Sequence, residues 1–200
     1  MLNVAKRMVL MYPREGLVLD RHEQLRDALK RASSALKRNG PQFALGGSYA
    51  LWVLGAPEPV HDVDLVVAEQ DADHAARTLG EAGFEIERTP EDWLFKAHSN
   101  DVLVDVLHRL AGDPVDRDLL DRATECEVIG MRIPVLPPTE MIIVKLRSLT
   151  EHHCDFSALL PPVRAVREQL DWERIRKETA ENDFAAAFLL VTDRLGISPS

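Results

Sequence analysis

The sequence predicts an α+β protein: a mixed sheet flanked by helices, with a helical region at the C-terminal end. Short apolar runs of strand length alternate with helical stretches up to about residue 136. Beyond Pro137-Pro138 the strand pattern stops and helical periodicity continues. Two hundred residues suffice for one good core with a small helical appendage. The expected organisation is an N-terminal lead over 1–19, an α/β core over 20–136 and a helical cap over 137–200. No internal repeat or low-complexity tract interrupts it.

Asp20, with Glu23 three residues on, reads as a helix N-cap. Leu25, Ala28, Leu29, Ala32 and Leu36 follow on one helical face, and Asn39-Gly40-Pro41 stops the helix. Residues 43–45 read as a strand, 48–54 as a helix and 63–68 as a strand. The 71–82 stretch turns Ala72, Ala75, Ala76 and Leu79 inward as a helix that Gly83 ends. Residues 84–88 and 93–98 read as strands, Ser99-Asn100-Asp101 as a turn and 102–107 as a strong strand. A short helix is expected around 115–124 and a hairpin around Gly130. Pro137-Pro138-Thr139 opens a helix to about Leu149. The rest reads as helical, interrupted at Pro161-Pro162 and restarted at Asp171.

Composition narrows the function classes. No run is long enough to span a bilayer, and the apolar run at Met8-Val9-Leu10-Met11 is too short for a signal peptide. Only Cys126 and Cys154 occur, so no disulfide framework is implied and a reducing cytoplasm is the natural setting. The net charge of −9 is unevenly spread. Residues 1–40 carry nine Lys or Arg against four acids, whereas residues 41–140 carry seven against twenty. That acidic middle disfavours a broad nucleic-acid footprint, which needs clustered cations. The first helix and the group Arg164, Arg167, Arg174, Arg176 and Lys177 are the two places for a local basic patch, and both also fit solvated helix faces.

The chemistry concentrates in residues 43–67. A short apolar run ends in Gly46-Gly47-Ser48, an apolar helical stretch follows, and Asp62-Val63-Asp64 opens a second apolar run. Carboxylates at i and i+2 on a strand point to the same face. So placed they repel, and both stay ionised comfortably only beside a cation. Hard ions such as Mg²⁺ take carboxylate oxygens and complete their shell with water and substrate phosphates. A glycine turn opening a helix offers backbone N–H groups to phosphate. Asp62 and Asp64 as metal ligands, with Gly46, Gly47 and Ser48 as a phosphate grip, therefore suggest a metal–nucleotide site.

This arrangement resembles the DNA polymerase beta-like nucleotidyltransferase superfamily, whose signature is Gly-Ser or Gly-Gly, a spacer and Asp-x-Asp. More narrowly it is similar to the AbiEii-type and MenT-type nucleotidyltransferase toxins of bacterial toxin–antitoxin pairs, with Gly46, Gly47, Ala50, Leu51, Asp62, Asp64 and Leu65 falling in their order. The resemblance covers residues 43–172. It departs where relatives carry Arg and Thr before the aspartates, because this chain has Pro59, Val60 and His61.

Three later positions extend the site. Asp105 lies inside the apolar run Val102-Leu103-Val104-Asp105-Val106-Leu107, and a buried unpaired carboxylate is costly. It must sit at a wet strand end, pair with a cation or bind metal; the resemblance makes it a third metal-binding or catalytic carboxylate. Lys145 falls on the apolar face that Met141, Ile142 and Leu149 define, so its ammonium either snorkels or meets an anion. The resemblance implies triphosphate binding there, and it makes Asp155 a further catalytic acid, although His152-His153-Cys154 replaces the usual context. Those three adjacent residues do not form a zinc site, since neighbours rarely point at one ion. His61 fits a loop residue, and Trp52, Trp93 and Trp172 fit the core.

The resemblance implies a Mg²⁺-dependent enzyme that moves a nucleoside monophosphate from an NTP to an acceptor hydroxyl, with Asp105 or Asp155 as base. The first acceptor it implies is the tRNA 3′ end, which would block aminoacylation and require a protein antitoxin. An antibiotic acceptor of the aminoglycoside or lincosamide type fits the acidic balance, and a non-catalytic nucleotide-binding module is the third reading.

Overall fold

The computed structural model describes residues 14–99 and 102–199, with side chains from residue 21 onward. Helix α1 (Arg14–Asn39) leads into β1 (Phe43–Leu45), α2 (Gly47–Val53) and β2 (Val63–Val67). A 3₁₀ turn precedes α3 (Ala72–Glu81), and β3 (Glu85–Arg88), β4 (Leu94–Ser99) and β5 (Val102–Leu107) follow. A two-strand ribbon, β6 (Arg109–Leu110) and β7 (Asp113–Pro114), precedes α4 (Arg117–Asp121) and the hairpin β8 (Thr124–Val128)–β9 (Met131–Val135). The chain finishes with α5 (Pro138–Arg147), α6 (Phe156–Val166), α7 (Trp172–Glu178) and α8 (Asp183–Arg194).

The seven-stranded sheet runs β3-β4-β5-β2-β1-β9-β8 and is mixed: β2 lies parallel to β5 and β1 to β9, and the other pairs are antiparallel. Alternation decides which face is buried. On β5, Val102, Val104 and Val106 are buried while Leu103, Asp105 and Leu107 are half-buried; on β4, Phe95, Ala97 and Ser99 are buried against half-buried Lys96 and His98. The buried face receives α1 and α3: Arg31 of α1 donates to Ser99 Oγ, and Gly80 of α3 sits over Ile86. The opposite face carries α2 on β2, with α5 packed on α2. One continuous apolar cluster extends from Leu25 to Ile197 across the boundary expected at residue 136.

Several expectations change. α1 begins at Arg14, so Asp20 lies inside it rather than capping it, and residues 14–19 of the expected lead are helical. Gly16 alone is too weak a breaker to stop a helix there, costing about 1 kcal/mol. Residues 1–13 and the Asn100-Asp101 part of the expected turn lie outside the described residues. Pro161 and Pro162 do not break α6. The carbonyls they strip of partners belong to Ser157 and Ala158, which are exposed and reach water, while Val163 and Val166 anchor the next turn in the core. Trp172 is buried and Trp52 partly so, but Trp93 is 41% exposed. Among the described residues no helix is long and apolar enough to cross a membrane.

Candidate active site

The parallel pairing of β2 with β5 sets Asp64 directly opposite Asp105, and Asp62 stands two residues before Asp64 on the same face. One carboxylate oxygen from each of the three lies within 4.8 Å of the others. Burial, then the Asp62 charge, push the Asp64 carboxyl up to about 7; Lys145 opposes the rise and Asp105 adds to it. Burial and Asp62 likewise lift Asp105 to about 6 against Lys96 and His98. Asp105 Oδ1 is buried without a hydrogen-bond partner among the described residues. Three converging hard oxygens, one of them orphaned, fit a divalent cation of the Mg²⁺ type.

The glycine turn is built around Asp64. Gly46 N–H donates to the Asp64 carbonyl at 2.9 Å, and a Cβ on Gly46 would lie 2.7 Å from Val66 Cγ2. Gly47 has φ +54°, and a Cβ there would fall 1.7 Å from Asp64 Oδ2. Glycine at 47 is thus required twice, by backbone conformation and by space. The amides expected to face phosphate are engaged within the protein: Gly47 N–H donates to Met141 Sδ at 3.1 Å, and Ser48 N–H to the Asp64 carboxylate. The thioether is a weak acceptor. The Ser48 hydroxyl, in the first turn of α2, accepts from Lys145 Nζ at 3.2 Å. Lys145 is half-buried in the last turn of α5 and does not snorkel away from the site.

The loop between α2 and Asp62 carries no arginine of its own, and α1 supplies arginines from outside. Arg26 grips Glu58 with two bonds of 2.7 and 2.5 Å, and Arg21 donates to the His61 carbonyl at 2.9 Å. Tyr49 is fully buried; burial and Glu58 push its phenol up to about 12, and its hydroxyl lacks a hydrogen-bond partner among the described residues. His61 is exposed, in keeping with a loop residue.

Asp155 is not one of the three converging carboxylates. Its carboxylate caps α6, accepting from Ser157 N at 2.9 Å, Ser157 Oγ at 2.6 Å and Ala158 N at 3.2 Å. Those bonds, the Ser157 hydroxyl first, hold it below the usual carboxylate range, which makes it a weak base. A cleft of about 910 Å³ does open between the 55–57 loop and α6, but its lining (Pro57, Leu160, Pro161 and Arg164 among others) includes none of the three aspartates. Sequence reasoning missed Lys96, which stands across from Asp105 in the β4–β5 register. The alternation Leu94-Phe95-Lys96-Ala97-His98 carried the signal, since it puts Lys96 and His98 on one face.

The mixed sheet thus brings carboxylates from two adjacent parallel strands together beside a Gly-Gly turn. The chain belongs to a family described as uncharacterised nucleotidyltransferases, whose model matches residues 11–195. It is similar to a candidate nucleotidyltransferase of Thermotoga maritima at 26% identity and TM-score 0.51, over 64% of this chain and 85% of that one. It also shares its fold with the antibiotic-resistance factor ANT(2'')-Ia at 14% identity and TM-score 0.59, over 88% of this chain and 98% of that one. No curated protein matches the sequence. The protein is therefore a nucleotidyltransferase; the toxin subtype is not among these findings.

Proposed function

We propose that the protein transfers a nucleoside monophosphate from an NTP to an acceptor hydroxyl in a Mg²⁺-dependent reaction that releases pyrophosphate. The convergence of Asp62, Asp64 and Asp105 beside the Lys145–Ser48 pair carries this reading. The three aspartates would hold Mg²⁺, which when bound neutralises charge on the reacting phosphate. Lys145 Nζ and Ser48 Oγ bind triphosphate oxygens, and Gly46 and Gly47 keep the turn close enough to position Ser48. Asp105 takes the proton of the attacking hydroxyl; Asp155, tied up as a cap, is the poorer candidate base.

For the acceptor, the resemblance to AbiEii-type and MenT-type toxins supports the tRNA 3′ end, a cytoplasmic toxin role and a cognate protein antitoxin. An antibiotic hydroxyl is the second reading, supported by the net charge of −9 and by the fold shared with ANT(2'')-Ia. A non-catalytic module has no use for three mutually repelling carboxylates, which cost stability unless a cation is to be held. Incubation with each labelled NTP, Mg²⁺ and either total tRNA or aminoglycoside and lincosamide drugs tests both acceptors. Asp62→Ala and Asp64→Ala should keep the fold and lose labelling by about a hundredfold or more. Wild-type turnover by either variant refutes the metal assignment.

A further inference from the structure

Beside the triad the sheet is open. α1 and α3 cover the other face of β3, β4 and β5, and α2 sits over β2, so among the described residues no helix packs substantially on β4 or β5 on the face bearing Asp105. Four side chains cross this face in one register row: Asp64 on β2, Asp105 on β5, Lys96 on β4 and Glu87 on β3. Neighbouring strands lie about 4.8 Å apart, so Lys96 stands one strand beyond Asp105 and two beyond Asp64. Glu87, opposite Lys96 in the register, gives its carboxylate to His98 Nε2 at 2.6 Å rather than to Lys96. The Lys96 ammonium makes no hydrogen bond or ion pair among the described residues, although the side chain is half-buried.

The direction of attack gives this cation a use. Entering and leaving oxygens are roughly in line at a transferring phosphoryl group. On the reading proposed above, pyrophosphate departs toward Ser48 and Lys145, on the β2–α2 side. The acceptor must then arrive from the opposite side, over β5 and β4, where Lys96 is the cation it meets.

We propose that the open face of β4 and β5 is the acceptor subsite, and that Lys96 holds a phosphate group adjacent to the attacking hydroxyl. The inference rests on the nucleotidyl-transfer reading. In the step itself the acceptor oxygen bonds the α-phosphorus and the α,β-bridging P–O bond breaks. Its electron pair leaves on pyrophosphate, and the hydroxyl proton passes to Asp105. Leu103 and Leu107 flank Asp105 on the same face and offer apolar contact to a sugar or base. The terminal nucleotide of an RNA presents a hydroxyl beside a phosphate, and so does a free nucleoside 5′-monophosphate. A polycationic aminoglycoside presents the wrong charge to Lys96.

The test uses the full chain with Mg²⁺ and a non-hydrolysable NTP. Binding is measured for an RNA trinucleotide with a free 3′-OH, a nucleoside 5′-monophosphate, the unphosphorylated nucleoside and tobramycin, and label transfer is measured with the ordinary NTP. Lys96→Met and Lys96→Gln should weaken the phosphorylated acceptors about tenfold or more, with NTP affinity far less affected. RNA binding alone identifies a polynucleotide end; equal binding of the mononucleotide identifies a small phosphorylated acceptor. No binding of either, preference for tobramycin, or indifference to both Lys96 variants overturns the proposal. NTP binding that needs neither Mg²⁺ nor Asp64 overturns instead the reading on which it rests.

Discussion

Asp64 is where the demands of fold and chemistry collide. Its backbone carbonyl closes onto Gly46, its carboxylate takes the Ser48 amide, and two more carboxylates crowd it. A side chain at Gly47 would occupy the place of its oxygen. The consequence shows in pH dependence. An ordinary aspartate titrates near about 3.9, whereas Asp64 in the fold titrates at about 7. Between those values the folded protein holds a proton that the unfolded chain has released. Stability of the metal-free protein therefore falls as pH rises through that window. Asp64→Asn removes the charge without changing shape. At about pH 8 it should raise the melting temperature by about 3 °C or more, the size of one kcal/mol in a chain of this length, with little change near pH 4. Mg²⁺ should raise the melting temperature of the wild type at about pH 8 and leave the variant unmoved. Thermal unfolding at both pH values, with and without Mg²⁺, measures it. A variant less stable than wild type at the higher pH would contradict this account of Asp64.

At the scale of elements, Asp155 opens α6 as its N-cap. Asp155 accepts three hydrogen bonds at the helix start, and every one is local. Asp155→Ala should lower the melting temperature, because the first-turn amides lose their acceptor, while kcat and both substrate KM values stay at wild-type levels. Steady-state kinetics beside thermal unfolding checks it; a loss of kcat without a loss of stability would return Asp155 to the reaction. The same helix marks how far local reading reaches. The i, i+2 spacing of Asp62 and Asp64 was legible because strand alternation is a local rule, and Asp105 stood out as a charge inside an apolar strand. Lys145 was legible for the same reason on a helix. Lys96 was not, because its importance depends on β4 pairing with β5 in one register. The passage of α6 through Pro161-Pro162 was hidden for a similar reason, since Val163 and Val166 are held by distant parts of the core. The reach of Arg21 and Arg26 to the loop before Asp62 spans 32 to 40 residues and leaves no mark on neighbouring sequence.

Across the whole molecule, one buried carboxylate ties the sheet to the C-terminal helices. Glu140 in α5 is 7% exposed and receives Arg122, just past the end of α4, at 2.9 Å and Arg174 from α7 at 2.7 and 2.8 Å. Next to it, Thr139 Oγ1 accepts from the Asp171 amide at the start of α7. Burial alone would push the Glu140 carboxyl up, but the bonds from Arg174 and Arg122 outweigh it and hold the group below its ordinary value. Its contribution to stability is therefore present at neutral pH and lost as pH falls through the depressed value. Removing one partner of a wholly buried ion pair costs about 3–5 kcal/mol. Here both arginines reach solvent, Arg122 by half, so Glu140→Ala should cost less, about 2–3 kcal/mol. The variant should also lose the part of the acid-induced drop in stability that Glu140 causes, leaving a flatter profile below about pH 4. Because α5 also carries Lys145 to Ser48, loosening this junction should raise the NTP KM more than it lowers kcat. Urea unfolding from about pH 3 to 7, paired with kinetics at neutral pH, tests both. Equal stability of variant and wild type at neutral pH would show that the apolar contacts of α5 alone hold the helices to the sheet.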